Sequence, residues 1–233
     1  RIHLITFDLD DTFWDIKSTI INAEMNSRKW SEERIGEKIE WGTFEDFMQI
    51  RSELVKEDPS LEYDLGMLRK KTIAHHTKKF FNDTKDLNEF IEDAYNFFLG
   101  ERHKVTFYDD VVSVLEKLSS KYMLGVLTNG NADVNKLGIG HLFDFSISSI
   151  DVRSNKPDKG HFVRARELSK VDFKDTLHVG DHPVNDVLGA RDLGINTMWF
   201  NLNNLNWEVD ENPPIQFNSW SQFINLVESS YGS

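Results

Sequence analysis

The stretch ITFDLDDTFWD, Ile5 to Asp15, decides how the rest of the chain is read. An apolar, β-branched run ends abruptly at three carboxylates within four positions, Asp8, Asp10 and Asp11. Like charges this close repel one another, and a chain whose formal net charge is already -12 gains nothing by concentrating them. The run itself reads as a buried strand, Ile2 to Phe7, so the carboxylates sit where a strand ends.

Working outward, 233 residues suit one large domain or two modest ones and can bury a sizeable core. A composition that is 39% hydrophobic, 12% aromatic and 28% charged is that of a globular protein, and no stretch approaches the roughly 18 apolar residues of a membrane span. No leader is recognisable before the first strand, although the chain starts at Arg1 rather than Met. With no cysteine, disulfide and thiolate chemistry are excluded. A cytoplasmic location is the expectation. The acidic balance argues against nucleic acid or an anionic membrane as partner. An acidic protein that handles an anion needs a metal cation or well-placed Lys or Arg to do so. The sequence sets no oligomeric state.

Two textures follow. Residues 17–104 read as helix throughout. Thr43 and Asp46 form a capping-box signature, followed by Phe44, Phe47, Met48, Leu54 and Val55 near helical spacing. A cleaner stripe, Leu87, Phe90, Ile91, Ala94, Phe97 and Phe98, is expected to end at Gly100. From Val105 onward, short apolar runs alternate with helices. Asp109 is placed to cap a helix carrying Val112, Leu115 and Leu118. The runs are 123–127, 145–148, 176–179 and 195–199, with helices expected near 159–168 and 184–193. That alternation indicates βαβ units and a parallel sheet. The expected architecture is an α/β Rossmann-like core, 1–16 with 105–233, interrupted after its first strand by an all-helical module, 17–104.

Ligands of open α/β sheets bind beyond the carboxyl ends of the strands. Here the first strand ends at Asp8-Leu9-Asp10, the next at Thr128-Asn129-Gly130, Lys156-Pro157 follows the third, and the fourth ends at Gly180-Asp181 with Asp186 five residues on. Side by side, these ends gather carboxylates, a hydroxyl beside a glycine turn, and one lysine. Asp8, Asp181 and Asp186 are hard oxygen ligands, which favours Mg²⁺ over Zn²⁺ or copper. A cation there cancels the repulsion in the opening stretch and lets a phosphate dianion approach. Thr128 and the backbone around Gly130 can hold phosphate oxygens. One aspartate can serve as nucleophile and another as acid and base.

These four elements, in this order and spacing, resemble the haloacid dehalogenase (HAD) superfamily of phosphohydrolases, and the resemblance covers the whole chain, helical cap included. It implies that Asp8 is the nucleophile that becomes an aspartyl-phosphate. It implies that Asp10 protonates the leaving group, then activates water, and lends its carbonyl to Mg²⁺. Thr128, Asn129 and Lys156 would bind the phosphoryl group, and Asp181 and Asp186 the metal. Leu127 to Asn131 and Leu177 to Ala190 are most similar to bacterial phosphatases acting on FMN and on 5-amino-6-(5-phosphoribitylamino)uracil. The implied activity is phosphomonoester hydrolysis of a small phosphorylated metabolite, and the aromatic Phe13 and Trp14 near the joint are expected to meet its organic part.

Alternatives stay beside that reading: a sugar phosphatase or nucleotidase of the same superfamily, a 2-haloacid dehalogenase, which by resemblance lacks an acid at the position of Asp10, a phosphoryl mutase, whose relatives usually carry Gly where Asp11 stands, and a non-enzymatic phospho-receiver module, which is far shorter and has no helical insert. Asp11 reads as a turn residue, His182 as a helix start, His75-His76 as a pair facing different ways on a helix, and Gly138-Ile139-Gly140 as a loop.

Overall fold

A computed structural model describes residues 1–232. The chain divides into two compact units, Arg1–Asp15 with the segment from Val105 onward, and Ile16–Lys104. In chain order the elements are β1 (Leu4–Phe7), α1 (Ile16–Ile35), α2 (Phe44–Glu57), α3 (Leu65–Thr77), α4 (Thr84–Arg102) and α5 (Val111–Ser119). Then come β2 (Met123–Thr128), β3 (Phe145–Ser148), α6 (Ser149–Val152), α7 (Gly160–Ser169) and β4 (Thr176–Gly180). The chain finishes with α8 (Gly189–Arg191), β5 (Asn196–Phe200), β6 (Ile215–Phe217) and α9 (Phe223–Tyr231).

The first unit is a six-stranded sheet in the order β3-β2-β1-β4-β5-β6, with every pair parallel. β1 and β4 are buried along their whole length, as inner strands of a parallel sheet covered on both faces are. β1 lies at the centre: Phe7 is in register with Val126 of β2 and with Val179 of β4. That register carries the residues at the carboxyl ends of the strands, Asp8 and Asp181 just past β1 and β4 and Thr128 at the end of β2, to one edge of the sheet, at the point where strand order reverses.

One part of the core joins Leu127 and Ile147 of the sheet to Phe162 and Ala165 of α7, with Ala190 and Ile195. Another is aromatic: Phe7, Phe13, Phe143, Phe200, Phe217, Trp220 and Phe223 pack with neighbouring ring centroids 5.0–6.5 Å apart. This cluster draws in β6 and α9, which the sequence reading left unassigned. β6 is a three-residue edge strand, too short to show a period.

The second unit is helical. Phe90, Ala94 and Phe98 of α4 are buried with Ala23 of α1 and Leu68 of α3, and Trp30 stacks on Phe90 and Phe97 at 5.8 and 5.4 Å. The capping box forms as read: the Asp46 N–H donates to the Thr43 hydroxyl at 3.2 Å, and the Thr43 N–H to the Asp46 carboxylate at 2.8 Å.

α2 forms as read but buries none of its residues, and Phe44 and Met48 are exposed; a period reports a helix, not what covers it. Three expectations need correction. α4 runs through Gly100 to Arg102, because Gly100 stays out of the left-handed region that makes glycine a helix stop. The residue before α5 is Asp110, at φ 69°, and its side chain makes no capping bond, so Asp109 is not the cap. Residues 183–188 form a π-helical turn ahead of α8 rather than an α-helix. Among the described residues, no helix is long and apolar enough to cross a membrane.

Candidate active site

Three backbone devices hold the loop after β1. The Asp8 N–H donates to the Val179 carbonyl at 2.9 Å, tying the loop to β4. The Thr12 and Phe13 N–H groups both donate to the Leu9 carbonyl at 2.9 Å, closing a turn. Asp11 occupies the left-handed region at φ 66°, a conformation Asp tolerates, and its N–H donates to the Trp14 carbonyl at 2.8 Å. Asp11 is therefore the turn residue expected.

Carboxylate oxygens of Asp8, Asp181 and Asp186 lie within 4.8 Å of one another. The Thr12 hydroxyl sits between Asp8 and Asp181, 3.1 Å from an oxygen of each. The Lys156 ammonium donates to Asp8 at 3.0 Å and to Asp186 at 2.7 Å, with all three side chains largely buried. Three clustered carboxylates are thus served by one ammonium, which contacts two of them. The electrostatics follow. Burial pushes the Asp181 carboxyl up to about 10, helped by the Asp8 charge. Burial raises Asp8 as well, against the pull of Lys156. Burial would also raise Asp186, but Lys156 and then His178 outweigh it and hold its carboxyl well below the usual range. The Lys156 ammonium, although desolvated, is kept charged by Asp186 and Asp8.

Asp186 is fully engaged. One oxygen accepts from Lys156 and from His178 Nε2 at 2.9 Å, the other from the His182 N–H at 3.1 Å. Asp186 is buried within the π-helical turn. His182 starts that turn as expected, its Nδ1 accepting from the N–H groups of Val184 and Asn185. Gly180 makes room: a Cβ there would lie 2.2 Å from the Asp186 Cγ. Gly180→Ala is expected to lower stability by about 1–3 kcal/mol through overpacking, read as a shift in the urea midpoint. An unshifted midpoint would mean that Asp186 can relax.

Thr128 is buried, and its hydroxyl accepts from the Gly130 N–H at 2.9 Å. Asn129 clamps the Lys156 backbone: its Nδ2 donates to the Lys156 carbonyl at 3.0 Å, and its Oδ1 accepts the Lys156 N–H at 2.7 Å. The Asn129 side chain therefore faces the lysine loop, and the Lys156–Pro157 peptide within that loop is cis.

Several residues at this site were missed in the sequence. His178 bridges Asp186 and Thr6, accepting from the Thr6 hydroxyl at Nδ1, 2.8 Å, and donating from Nε2; burial lowers its pKa and keeps it neutral. Thr6 and His178 share a register position in two buried strands, and that pairing of polar residues was the available signal. His161 donates from Nε2 to the Thr128 carbonyl at 2.9 Å, with burial pressing its pKa down to about 4. Three buried indoles hold the two loops. Trp14 Nε1 donates to the Asp10 carboxylate at 3.0 Å, Trp220 Nε1 to the Thr12 carbonyl at 3.1 Å, and Trp199 Nε1 to the Asp181 carbonyl at 2.8 Å. Phe13 and Trp14, expected to meet a ligand, are both 0% exposed and packed into the core.

The comparisons with known proteins agree with this geometry. The model of the haloacid dehalogenase-like hydrolases matches residues 2–194. The chain is 24% identical over 231 residues to the 5-amino-6-(5-phospho-D-ribitylamino)uracil phosphatase YigB of Escherichia coli (strain K12), across 97% of each chain. It is 28% identical over 217 residues to the glyceraldehyde 3-phosphate phosphatase of Pyrococcus abyssi, across 85% of this chain and 81% of that protein. Among solved structures, a 2-haloacid dehalogenase from Pseudomonas syringae pv. tomato DC3000 matches with a TM-score of 0.91 at 34% identity, over 98% of this chain and 99% of that one. A family match of this extent, on a sheet that brings Asp8, Thr128 and Asp181 to one edge, makes the chain a member of the haloacid dehalogenase-like hydrolases.

Proposed function

We propose that this hydrolase is a Mg²⁺-dependent phosphomonoesterase that works through an aspartyl-phosphate on Asp8. The observation that carries the reading is the cluster of carboxylates from Asp8, Asp181 and Asp186, of which Asp8 and Asp186 share a single lysine. The donor set fits a hard divalent cation: it is all carboxylate oxygen, and its negative charge exceeds what Lys156 balances. Asp8 and Asp181 would hold the ion together with the Asp10 carbonyl. Asp186, fully engaged by Lys156, His178 and His182, would act from behind them. When bound, Mg²⁺ neutralises the carboxylates and the phosphate oxygens that they would otherwise repel.

The residues divide the work. Lys156 and Thr128 hold the phosphoryl oxygens, and the Asn129 amide fixes the peptide of Lys156. Asp8 attacks phosphorus while Asp10 gives its proton to the departing oxygen. Asp10 then takes a proton from the water that hydrolyses the acyl phosphate, restoring the Asp8 carboxylate. The helical unit is the part of the chain to which the family resemblance assigns substrate selection. Similarity to the ribitylaminouracil phosphatase supports a small phosphomonoester with an uncharged organic part, FMN or a ribityl phosphate first, over nucleoside di- and triphosphates.

The match to a 2-haloacid dehalogenase favours a second reading, carboxylate attack on carbon with loss of halide. Halide needs no proton to leave, which leaves Asp10 without its task as acid. A 2-haloacid also brings a carboxylate that needs its own cation, and Lys156 already serves two carboxylates. One panel separates the readings: phosphate release from FMN, sugar phosphates and nucleotides with Mg²⁺, beside halide release from a 2-haloacid. Phosphate release is expected. Halide release with no phosphate release would overturn the proposal.

A titration tests the metal. Asp181 lies at about 10 in the folded chain against an ordinary 3.8, so between those values the folded chain keeps a proton that the unfolded chain has lost. Stability without metal therefore falls as pH rises. From pH 7 to 9 the shifted histidines are already neutral, and Lys156 and Tyr108 titrate higher, so the Asp8–Asp181 pair sets the slope. In chelator, Tm is expected to fall from pH 7 to 9. Mg²⁺ should raise Tm more at pH 9, because cation and proton compete for the same oxygens. A Mg²⁺ shift that is larger at pH 7 would contradict the site.

A further inference from the structure

Trp14 follows Asp10 by four residues, and its side chain is wholly buried. Its ring packs edge-on against Phe107 at 5.7 Å and against Phe13 at 6.3 Å. Its backbone is fixed on two sides, bridged to Asp10 in parallel and to Phe107 antiparallel, and its carbonyl accepts the Asp11 N–H. From this anchored ring, Nε1 donates to the Asp10 carboxylate at 3.0 Å. A buried indole needs a partner for its N–H, and the core could have offered a backbone carbonyl, as it does to Trp199 and Trp220. Trp14 alone of these three is spent on a side-chain carboxylate.

We infer that Trp14 is a positioning residue that sets the rotamer and plane of the Asp10 carboxyl, so that one orientation serves both proton donation to the leaving group and proton removal from water. The inference rests on the phosphomonoesterase reading and adds to it the element that aims its acid–base group. A rigid ring suits this task, because it cannot follow the carboxyl if the carboxyl turns, and misaligned proton transfer costs rate in proportion to how much the step needs it.

That dependence supplies the test. Trp14→Phe keeps an aromatic ring in the core and removes the N–H donor. For an alkyl phosphate, whose leaving oxygen must be protonated, kcat is expected to fall about tenfold or more with KM little changed. For an aryl phosphate with a good leaving group, the pre-steady-state burst of aryl alcohol should keep its rate, while the slower dephosphorylation that follows falls with the alkyl kcat. Loss of burst rate and alkyl kcat by the same factor would make Trp14 merely structural and overturn the inference, as would no loss in either. Should Trp14→Phe fail to fold, benzothienylalanine at position 14 keeps the bicyclic shape with sulfur in place of N–H and reads the same ratio. Wild-type protein inactive on every phosphomonoester would remove the functional reading itself. Active wild type with an unchanged leaving-group dependence in the variant would remove only the role of Trp14.

Discussion

Asp8→Asn abolishes phosphomonoester turnover while the fold persists; that is the expected result with the largest effect. The amide keeps the shape of the carboxylate, and its Oδ1 can still accept from Lys156, as Asp8 does at 3.0 Å. What disappears is the nucleophile, whose loss costs about 10⁴-fold or more when no other group can take its place. Stability should hold or rise. Burial raises the Asp8 pKa, so the folded chain bears a cost for the charge that the amide does not bear. A site that spends stability for function gives this pairing of lost activity and unimpaired Tm. Purified variant assayed for phosphate release beside a thermal melt decides it. Activity above about a hundredth of wild type would exclude Asp8 as nucleophile, and a collapsed melt would show that Asn is not tolerated by Lys156 and Thr12.

Asp10→Asn should divide the reaction in two. Phosphoryl transfer to Asp8 from an aryl phosphate barely needs an acid, because the aryl oxygen leaves as a stabilised anion. Hydrolysis of the resulting acyl phosphate needs a base to take the water proton. The variant is therefore expected to release a burst of aryl alcohol of about one equivalent and then to slow by something like 10²–10⁴-fold, the range for loss of one acid–base group. An Asn side chain can still accept from Trp14 Nε1 through its oxygen, so the loop geometry should survive. If the burst vanishes together with turnover, Asp10 acts through the metal or the loop, and the division of roles falls. The same measurement run beside Trp14→Phe orders the two: the positioning variant should lie between wild type and Asp10→Asn in its rate of dephosphorylation.

The strand ends were legible because their chemistry is local. Asp8, Thr128 and Asp181 each stop an apolar run, and parallel pairing alone sends such ends to one edge. Lys156 was legible as the single lysine in that company. His178 and Trp220 were not, because each looks apolar or neutral in one dimension and acts only through a partner far along the chain. Trp220 reaches Thr12 across 208 positions, and His178 reaches Thr6 across 172.

The sequence by itself determined the parallel α/β core, the helical nature of residues 17–104 and the carboxylate-bearing strand ends. Periodicity and strand-end composition are properties of neighbouring residues and need no partner to be read. Only the tertiary structure decided the rest. It turned Trp14 inward, into the core and onto Asp10. It buried Asp186 through a π-helical turn that a 3.6-residue period cannot express, and it committed the Asn129 amide to the Lys156 backbone. The physical reason is the same in each case. The direction of a side chain is set by the packing and hydrogen bonds that remain when strands far apart in sequence are brought side by side, and a polar group buried there must take whichever partner that arrangement supplies.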